Sequence, residues 1–447
     1  MTIDTDTTLR EEAISLLQGL LRLDTQSPPG NEILAAEWIG QILEREGIPY
    51  DIVEAAPGRA TIVSRLRAEN PTGRPVMLMG HTDVVTVEPE RWDHDPFCGD
   101  IIDGFVYGRG ALDMKGQVAS ELAVFLAMKR AELPLSRDVI FCAFADEEAG
   151  GEFGAAWVWN HHRDLIDAEF AINEGGGQPI TIAGHEFVTC QVAEKGSARL
   201  KMTARGEPGH ASVPLPETAF RNLGVALERL HAWTPPTVIV PSVRAMLEGI
   251  ADALGGDDAA LIAAAIDSVP PQWEPLAELP LTREDRLSLY AQTRNTVVPT
   301  MIHGGQRINV IPSQIVVDID GRVLPGEDPA AFRDAVQEVV GDAAEIELVY
   351  PATGTAADVE SPFYDAIVER MARISPSARV VPSMSTGGTD APHIPGVKVY
   401  GFYPFPPGER IPLYDPLVHG HNERVHVDDL GYATTFLYEL FSTFATR

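Results

Sequence analysis

The sequence predicts an α/β protein interrupted by a smaller α+β module. Three observations predict it. Apolar runs of strand length alternate with helix-period segments through the first 190 residues and again beyond residue 325. Each early apolar run stops at charged or imidazole side chains, and open α/β sheets build sites at the carboxyl ends of their strands. Near Lys195-Gly196 the texture changes, and strands and helices segregate instead of alternating. The expected division is one discontinuous domain, residues 1–195 and 325–447, carrying an inserted domain over 196–324.

The elements follow in order. From Glu11 to Glu46, Ile14, Leu17 and Leu21, then Ala36, Ile39, Ile42 and Leu43, recur at helical spacing on one face. Ser27-Pro28-Pro29-Gly30-Asn31 breaks this stretch into two helices. Ala60–Leu66 alternates as a strand, and Val76–Met79 is a short buried run ending at Gly80-His81. Gly116–Lys129 reads as a helix, Val139–Ala145 as a strand stopping at Asp146-Glu147-Glu148, and Glu169–Asn173 as a strand stopping at Glu174. In the inserted module Ala198–Ala204 alternates, a helix covers Thr218–His231, and Pro235–Asn295 is rich in Ala, Pro and acidic residues and reads as helical. Arg307–Ile311 and Gln314–Val323 are strand candidates. Asp328–Val340, Ser361–Ile374 and Asp428–Phe444 read as helices around a strand at Glu345–Tyr350.

Composition narrows the class. The 34 basic and 65 acidic residues leave a net charge of −31, which argues against nucleic acid and against an anionic membrane surface, since both need clustered Lys and Arg. The longest apolar runs, such as Ala259–Ile266, are about eight residues, and a membrane span needs about twenty. Cys98, Cys142 and Cys190 are odd in number and far apart, so neither a disulfide framework nor a CxxC site is expected. With no basic-then-apolar leader in MTIDTDTTLR, a cytoplasmic location is expected.

Ligand-type residues collect at the strand ends: His81 and Asp83, Asp113, Glu147 and Glu148, Glu174, and finally His419. Zinc takes imidazole nitrogen and carboxylate oxygen, and an incomplete shell leaves room for water. Two metals about 3.5–4 Å apart can share one carboxylate. Any one of these residues alone reads more readily as a cap or a hydrogen-bonding group, and Glu147-Glu148 alone as a helix start favoured by the dipole. Their recurrence at successive strand ends favours a site.

The motifs then become specific. Gly80-His81-Thr82-Asp83-Val84-Val85 resembles the first metal motif of the co-catalytic di-zinc metallopeptidases and amidohydrolases, the family of aminoacylase, carboxypeptidase G, acetylornithine deacetylase and succinyl-diaminopimelate desuccinylase. Trp92–Phe97, Asp103-Gly104, Tyr107-Gly108-Arg109-Gly110 and Asp113-Met114-Lys115-Gly116 resemble the second, Asp146-Glu147-Glu148 the third and Asn173-Glu174-Gly175 the fourth. Gly209–Pro214 resembles the lid motif, Asn309–Pro312 and Gly387–Ala391 are further matches, and His419 stands four residues before Glu423 at the family spacing.

The resemblance implies a di-zinc aminopeptidase-like catalytic domain with an inserted ferredoxin-like lid or dimerisation domain. It implies two Zn2+ ions, with Co2+ or Mn2+ as substitutes. His81, Asp113 and Glu174 would hold one ion, and Asp113, Glu148 and His419 the other. Asp83 would accept from the His81 imidazole, and Glu147 would be the general base. His210 would reach the active site of a second subunit and stabilise an oxyanion, which makes a homodimer the expected assembly. Asn309 and Arg322 would contact the small substrate, Arg322 through a bidentate fork on a free carboxylate, and Gly387, Gly388 and Thr389 would offer backbone N–H groups to the same carboxylate. The implied reaction is amide hydrolysis of an N-acyl amino acid or short peptide. A dipeptidase or carboxypeptidase of the same family is the alternative. A non-catalytic binder is disfavoured by the presence of Glu147, and a two-metal phosphoesterase by the lack of a Gly-rich phosphate loop.

Overall fold

The computed structural model describes residues 5–407 and 411–447. The chain forms two compact units: one takes the chain up to Val192, Ala357–Pro382 and Thr389 onward, the other Ala193–Ala356 with Ser383–Gly388.

The first unit begins with α1 (Thr5–Leu21) and α2 (Ile33–Arg45). The strands β1 (Tyr50–Ala56), β2 (Arg59–Leu66) and β3 (Val76–His81) follow, then α3 (Lys115–Arg130), β4 (Val139–Phe144), β5 (Phe170–Asn173) and β6 (His185–Glu194). The second unit contains β7 (Gly196–Arg205), α4 (Ala219–Ala232), α5 (Pro241–Leu254), α6 (Gly256–Ile266), α7 (Arg283–Gln292), β8 (Thr296–Gly304), β9 (Gln314–Val323), α8 (Pro329–Val340) and β10 (Glu345–Ala352). The chain then makes α9 (Pro362–Ile374), β11 (Arg379–Ser385), β12 (Lys398–Gly401) and α10 (Val427–Phe444).

The sheet of the first unit runs β1-β2-β4-β3-β5-β12-β6. Its central strands β4, β3, β5 and β12 are parallel. Strands covered on both faces have no polar side to show. Accordingly β3, β4 and β5 are buried at every position. Met77, Met79, Ile140, Cys142, Phe144 and Ala171 pack with Val158 and Ile166 in one core. Because β3, β4 and β5 run the same way, their carboxyl ends share one edge of the sheet, where His81, Glu147 and Glu174 emerge.

The second unit is a β-α-β-β-α-β module with sheet order β8-β9-β7-β10. Leu200, Met202 and Ala204 of β7 alternate inward with Ile315, Val317 and Ile319 of β9, and α4 and α8 close the core with Leu223, Ala226, Phe332 and Val336. Thr218 Oγ1 accepts the Arg221 N–H at 3.2 Å and starts α4. This topology moves one boundary expected from the sequence. The unit does not return to the first domain at residue 325 but runs to Ala356, because β10 is the fourth strand of its sheet and pairs with β7. The strand expected over Arg307–Ile311 shrinks to Val310–Ile311, which pairs only with Gly209–His210. β8 fills the sheet position instead. None of the described helices is long and apolar enough to cross a membrane.

Candidate active site

The first unit brings seven of the expected residues together. His81 ends β3 and is 1% exposed. Its Nε2 lies 3.1 Å from Asp113 Oδ1, 3.7 Å from Glu174 Oε1 and 3.9 Å from Glu147 Oε2. On the other side, His419 Nε2 lies 3.0 Å from Asp113 Oδ2 and 3.2 Å from Glu148 Oε2. The two oxygens of Asp113 thus face two different imidazoles. Ligand atoms of His81, Asp113 and Glu174 form one group within 4.8 Å, and those of Asp113, Glu148 and His419 form another. Glu148 Oε1 is buried and has no hydrogen-bond partner. A buried carboxylate oxygen left unpartnered beside two imidazole–carboxylate groups is a donor set that fits cations.

Electrostatics agrees with that fit. Burial alone would push the His81 imidazole down, but Glu174, Asp113 and Asp83 outweigh it and raise it well above its ordinary value. Hydrogen bonds to Asp113 and Glu148 push His419 up to about 10. Against its burial, the two imidazoles hold the Asp113 carboxyl below the usual range. Burial, opposed by His81 but joined by Glu174, Asp390 and Glu148, raises Glu147 well above its ordinary value. Bound cations would offset the cost of burying these carboxylates together.

Asp83 meets His81 chiefly through its backbone and has a second task. His81 Nδ1 faces the backbone carbonyl of Asp83 at 3.0 Å, with Oδ1 of its carboxylate at 3.5 Å. That carboxylate instead accepts the N–H of Glu147 at 3.1 Å and of Glu148 at 3.0 Å. Asp83 therefore fixes both the imidazole tautomer and the turn that presents the two glutamates. Glu147 and Glu148 lie in a short 3-10 turn after β4, not on the strand itself.

Sequence reasoning missed what holds this turn. Asp146 sits at φ 71, in the left-handed region that disfavours a side chain. Its Oδ1 accepts from Arg59 Nη2 at 2.6 Å, and its Oδ2 from the Phe153 N–H at 2.7 Å. Arg59 also pairs with Glu32 at 2.8 Å, and all three side chains are buried. Nothing in the spacing of residues 32, 59 and 146 announces the trio; the motif residue Asp146 was the only signal.

The remaining candidates are distributed differently. His210 is exposed in the second unit and pairs with Val310. Its Nδ1 accepts from the Ser212 N–H at 3.2 Å, which leaves Nε2 as the N–H of the neutral ring. Asn309 is exposed, and its carbonyl accepts the Ala211 N–H at 3.1 Å. Arg322 lies on β9 with its guanidinium on Asp320, at 2.7 Å through Nε and 3.2 Å through Nη2. Gly388 is exposed in the second unit, whereas Thr389 opens a segment of the first and its Oγ1 accepts the Ala391 N–H at 3.1 Å. His426 caps α10 by accepting the Asp428 N–H at 3.2 Å, a structural role.

Residues 77–443 match the profile described as Peptidase family M20/M25/M40. The chain belongs to this family. This M20 chain is 27% identical over 424 residues to aminoacylase-1B of Rattus norvegicus, a match covering 93% of the chain and 90% of the relative. The M20 family metallo-carboxypeptidase Sso-CP2 from Sulfolobus solfataricus has the same fold, with TM-score 0.72 and 17% identity over 98% of this chain and 100% of that one. So has the Bacillus subtilis YXEP protein, described as a dinuclear metal binding peptidase, with TM-score 0.61 and 14% identity over 98% and 99% of the two chains. The M20 chain is a metal-dependent hydrolase of amide bonds, and its ligand groups provide for two ions.

Proposed function

We propose that this M20 chain is a di-zinc amidohydrolase that releases the amino acid from N-acyl amino acids carrying a free carboxylate. The observation that carries the proposal is the Asp113 carboxylate set between His81 and His419, with Glu147 3.9 Å from the His81 nitrogen. That the relatives matching over 93% of the chain are named aminoacylases supports acyl amino acids over dipeptides as substrates of this chain.

In this reading His81, Asp113 and Glu174 hold one ion, and Asp113, Glu148 and His419 the other. Bound zinc would lower the pKa of a water and polarise the scissile carbonyl. Glu147 takes the water proton on its carboxylate and delivers it to the leaving nitrogen; its raised pKa suits the return of that proton. Asp83 anchors the turn that carries Glu147 and Glu148 by accepting both of their N–H groups. His210 donates its Nε2–H to the oxyanion. Asn309, Arg322, Gly388 and Thr389 receive the substrate carboxylate, with Arg322 exchanging its Asp320 partner for it.

The second unit supports a homodimer in which His210 serves the other subunit. β8 is the terminal strand of its sheet, and Val298, Met301 and Ile302 on it are more than half exposed. An exposed apolar edge strand is a template for pairing with a second copy. The cysteines of the chain are free, with Cys142 and Cys190 buried, which supports a cytoplasmic location.

A panel of N-acetyl amino acids, dipeptides and N-carbamoyl compounds, assayed with zinc, cobalt or manganese, tests the proposal. The expected result is hydrolysis of N-acetyl amino acids that chelator abolishes and divalent metal restores. Chelator-resistant turnover, or activity on none of the panel, would refute it.

A further inference from the structure

Behind the ligand residues lies a pair that the proposed chemistry does not use, Arg109 and Glu423. Glu423 is fully buried, and Arg109 is 2% exposed. One carboxylate oxygen of Glu423 accepts the backbone N–H of Leu112 at 2.7 Å and of Asp113 at 3.0 Å. The other accepts the Gly110 N–H at 2.9 Å and Arg109 Nη1 at 2.7 Å. Arg109 Nη2 then donates to the carbonyls of Gly420, at 2.8 Å, and His419, at 3.3 Å. A single buried ion pair therefore ties the backbone of Asp113 to the backbone of His419, residues some three hundred positions apart in the chain.

The His419 loop needs such a tie. The His419 side chain is half-exposed, and the residue stands at φ 57, a conformation that a non-glycine residue keeps only where its surroundings impose it. The planar guanidinium suits the task because it reaches Glu423 with one arm and two adjacent carbonyls with the other. An ammonium is a single point charge and cannot span both. The His81 imidazole is set otherwise, by the Asp83 carbonyl.

We propose that Arg109 and Glu423 are positioning residues that fix the distance between the Asp113 carboxylate and the His419 imidazole, and thereby set the affinity of the metal position formed by Asp113, Glu148 and His419. This inference rests on the reading of those three residues as ligands. It assigns the two members of the pair different consequences. Arg109→Lys leaves the Glu423 bonds to the backbone of Asp113 in place and releases only the His419 loop. Glu423→Gln turns an amide N–H toward backbone donors, displaces Asp113 and touches both metal positions.

The test is calorimetric titration of the metal-free full-length chain with Zn2+, with near-UV circular dichroism of each metal-free variant as the check on folding. Wild type is expected to bind two ions. Arg109→Lys should keep one ion at wild-type affinity and bind the other 10- to 100-fold more weakly, the usual loss when the support of a metal ligand is removed. Glu423→Gln should weaken both. Two sites of unchanged affinity in Arg109→Lys would overturn the inference. Loss of the native dichroism in both variants would overturn it as well, because the pair would then hold the fold and not the ligand loop. A wild type binding fewer than two ions would instead overturn the two-metal reading on which the inference stands.

Discussion

Glu147 and Glu148 are neighbours in sequence and have different surroundings. Glu148 reaches His419 at 3.2 Å with one oxygen and keeps the other unpartnered, whereas Glu147 lies on the His81 side and is held above its ordinary pKa by burial and acidic neighbours. Glu147→Gln should therefore leave metal content intact and lower kcat by about 10²–10⁴, the range for a lost general acid–base group. Glu148→Gln should weaken metal binding about 10-fold or more. Steady-state kinetics beside elemental analysis separates the two, and near-normal turnover in Glu147→Gln would move the base role elsewhere. His81, Glu147, Glu148 and Glu174 were legible because residues following parallel strands meet at one sheet edge, whereas Asp113 and His419 lie in loops and not at the strand ends expected, and only the family motifs marked them. The carboxylate of Asp83 was less legible. Its partners are backbone N–H groups at Glu147 and Glu148, and a backbone donor leaves no mark in residue identity.

At the scale of elements, the turn after β4 depends on side chains from far along the chain. Arg59 at the start of β2 bonds Asp146, and Glu32 before α2 accepts from the same guanidinium. Replacing Arg59 with Met would leave two buried carboxylates without their cation. Breaking a buried pair in this way costs about 3–5 kcal/mol. Arg59→Met should therefore lose stability on that order in urea unfolding and lower kcat as the Glu147–Glu148 turn shifts. Unchanged stability would contradict the assignment. The inserted unit shows the limit of reading elements singly. Glu345–Tyr350 was recognisable as a strand, but its sheet was not, because a strand between two helices reads the same whichever sheet it joins. Only pairing with β7 places it as the fourth strand of the β-α-β-β-α-β unit. β8 went unread because its apolar residues fall in adjacent pairs, Val297-Val298 and Met301-Ile302, so the apolar–polar alternation that marks a half-buried strand is absent.

At the scale of the whole molecule, the proposal requires His210 of one subunit to complete the site of another. A His210→Ala subunit and a Glu147→Gln subunit should each be nearly inactive. Their heterodimer contains one whole site and one doubly damaged site, so it should recover about half of wild-type activity. An oxyanion donor alone is worth roughly 2.7–4 kcal/mol, so the recovered signal should stand far above either parent. A heterodimer no more active than its parents would place His210 in its own chain's chemistry or in none.

The central claim is that one carboxylate, Asp113, serves two metal positions through its two oxygens. Elemental analysis of wild type and Asp113→Ala, loaded with zinc and desalted side by side, tests it most directly. The account predicts two ions per chain in the wild type and loss of both together in Asp113→Ala. An Asp113→Ala chain that keeps one full equivalent or more of tightly bound metal would contradict it.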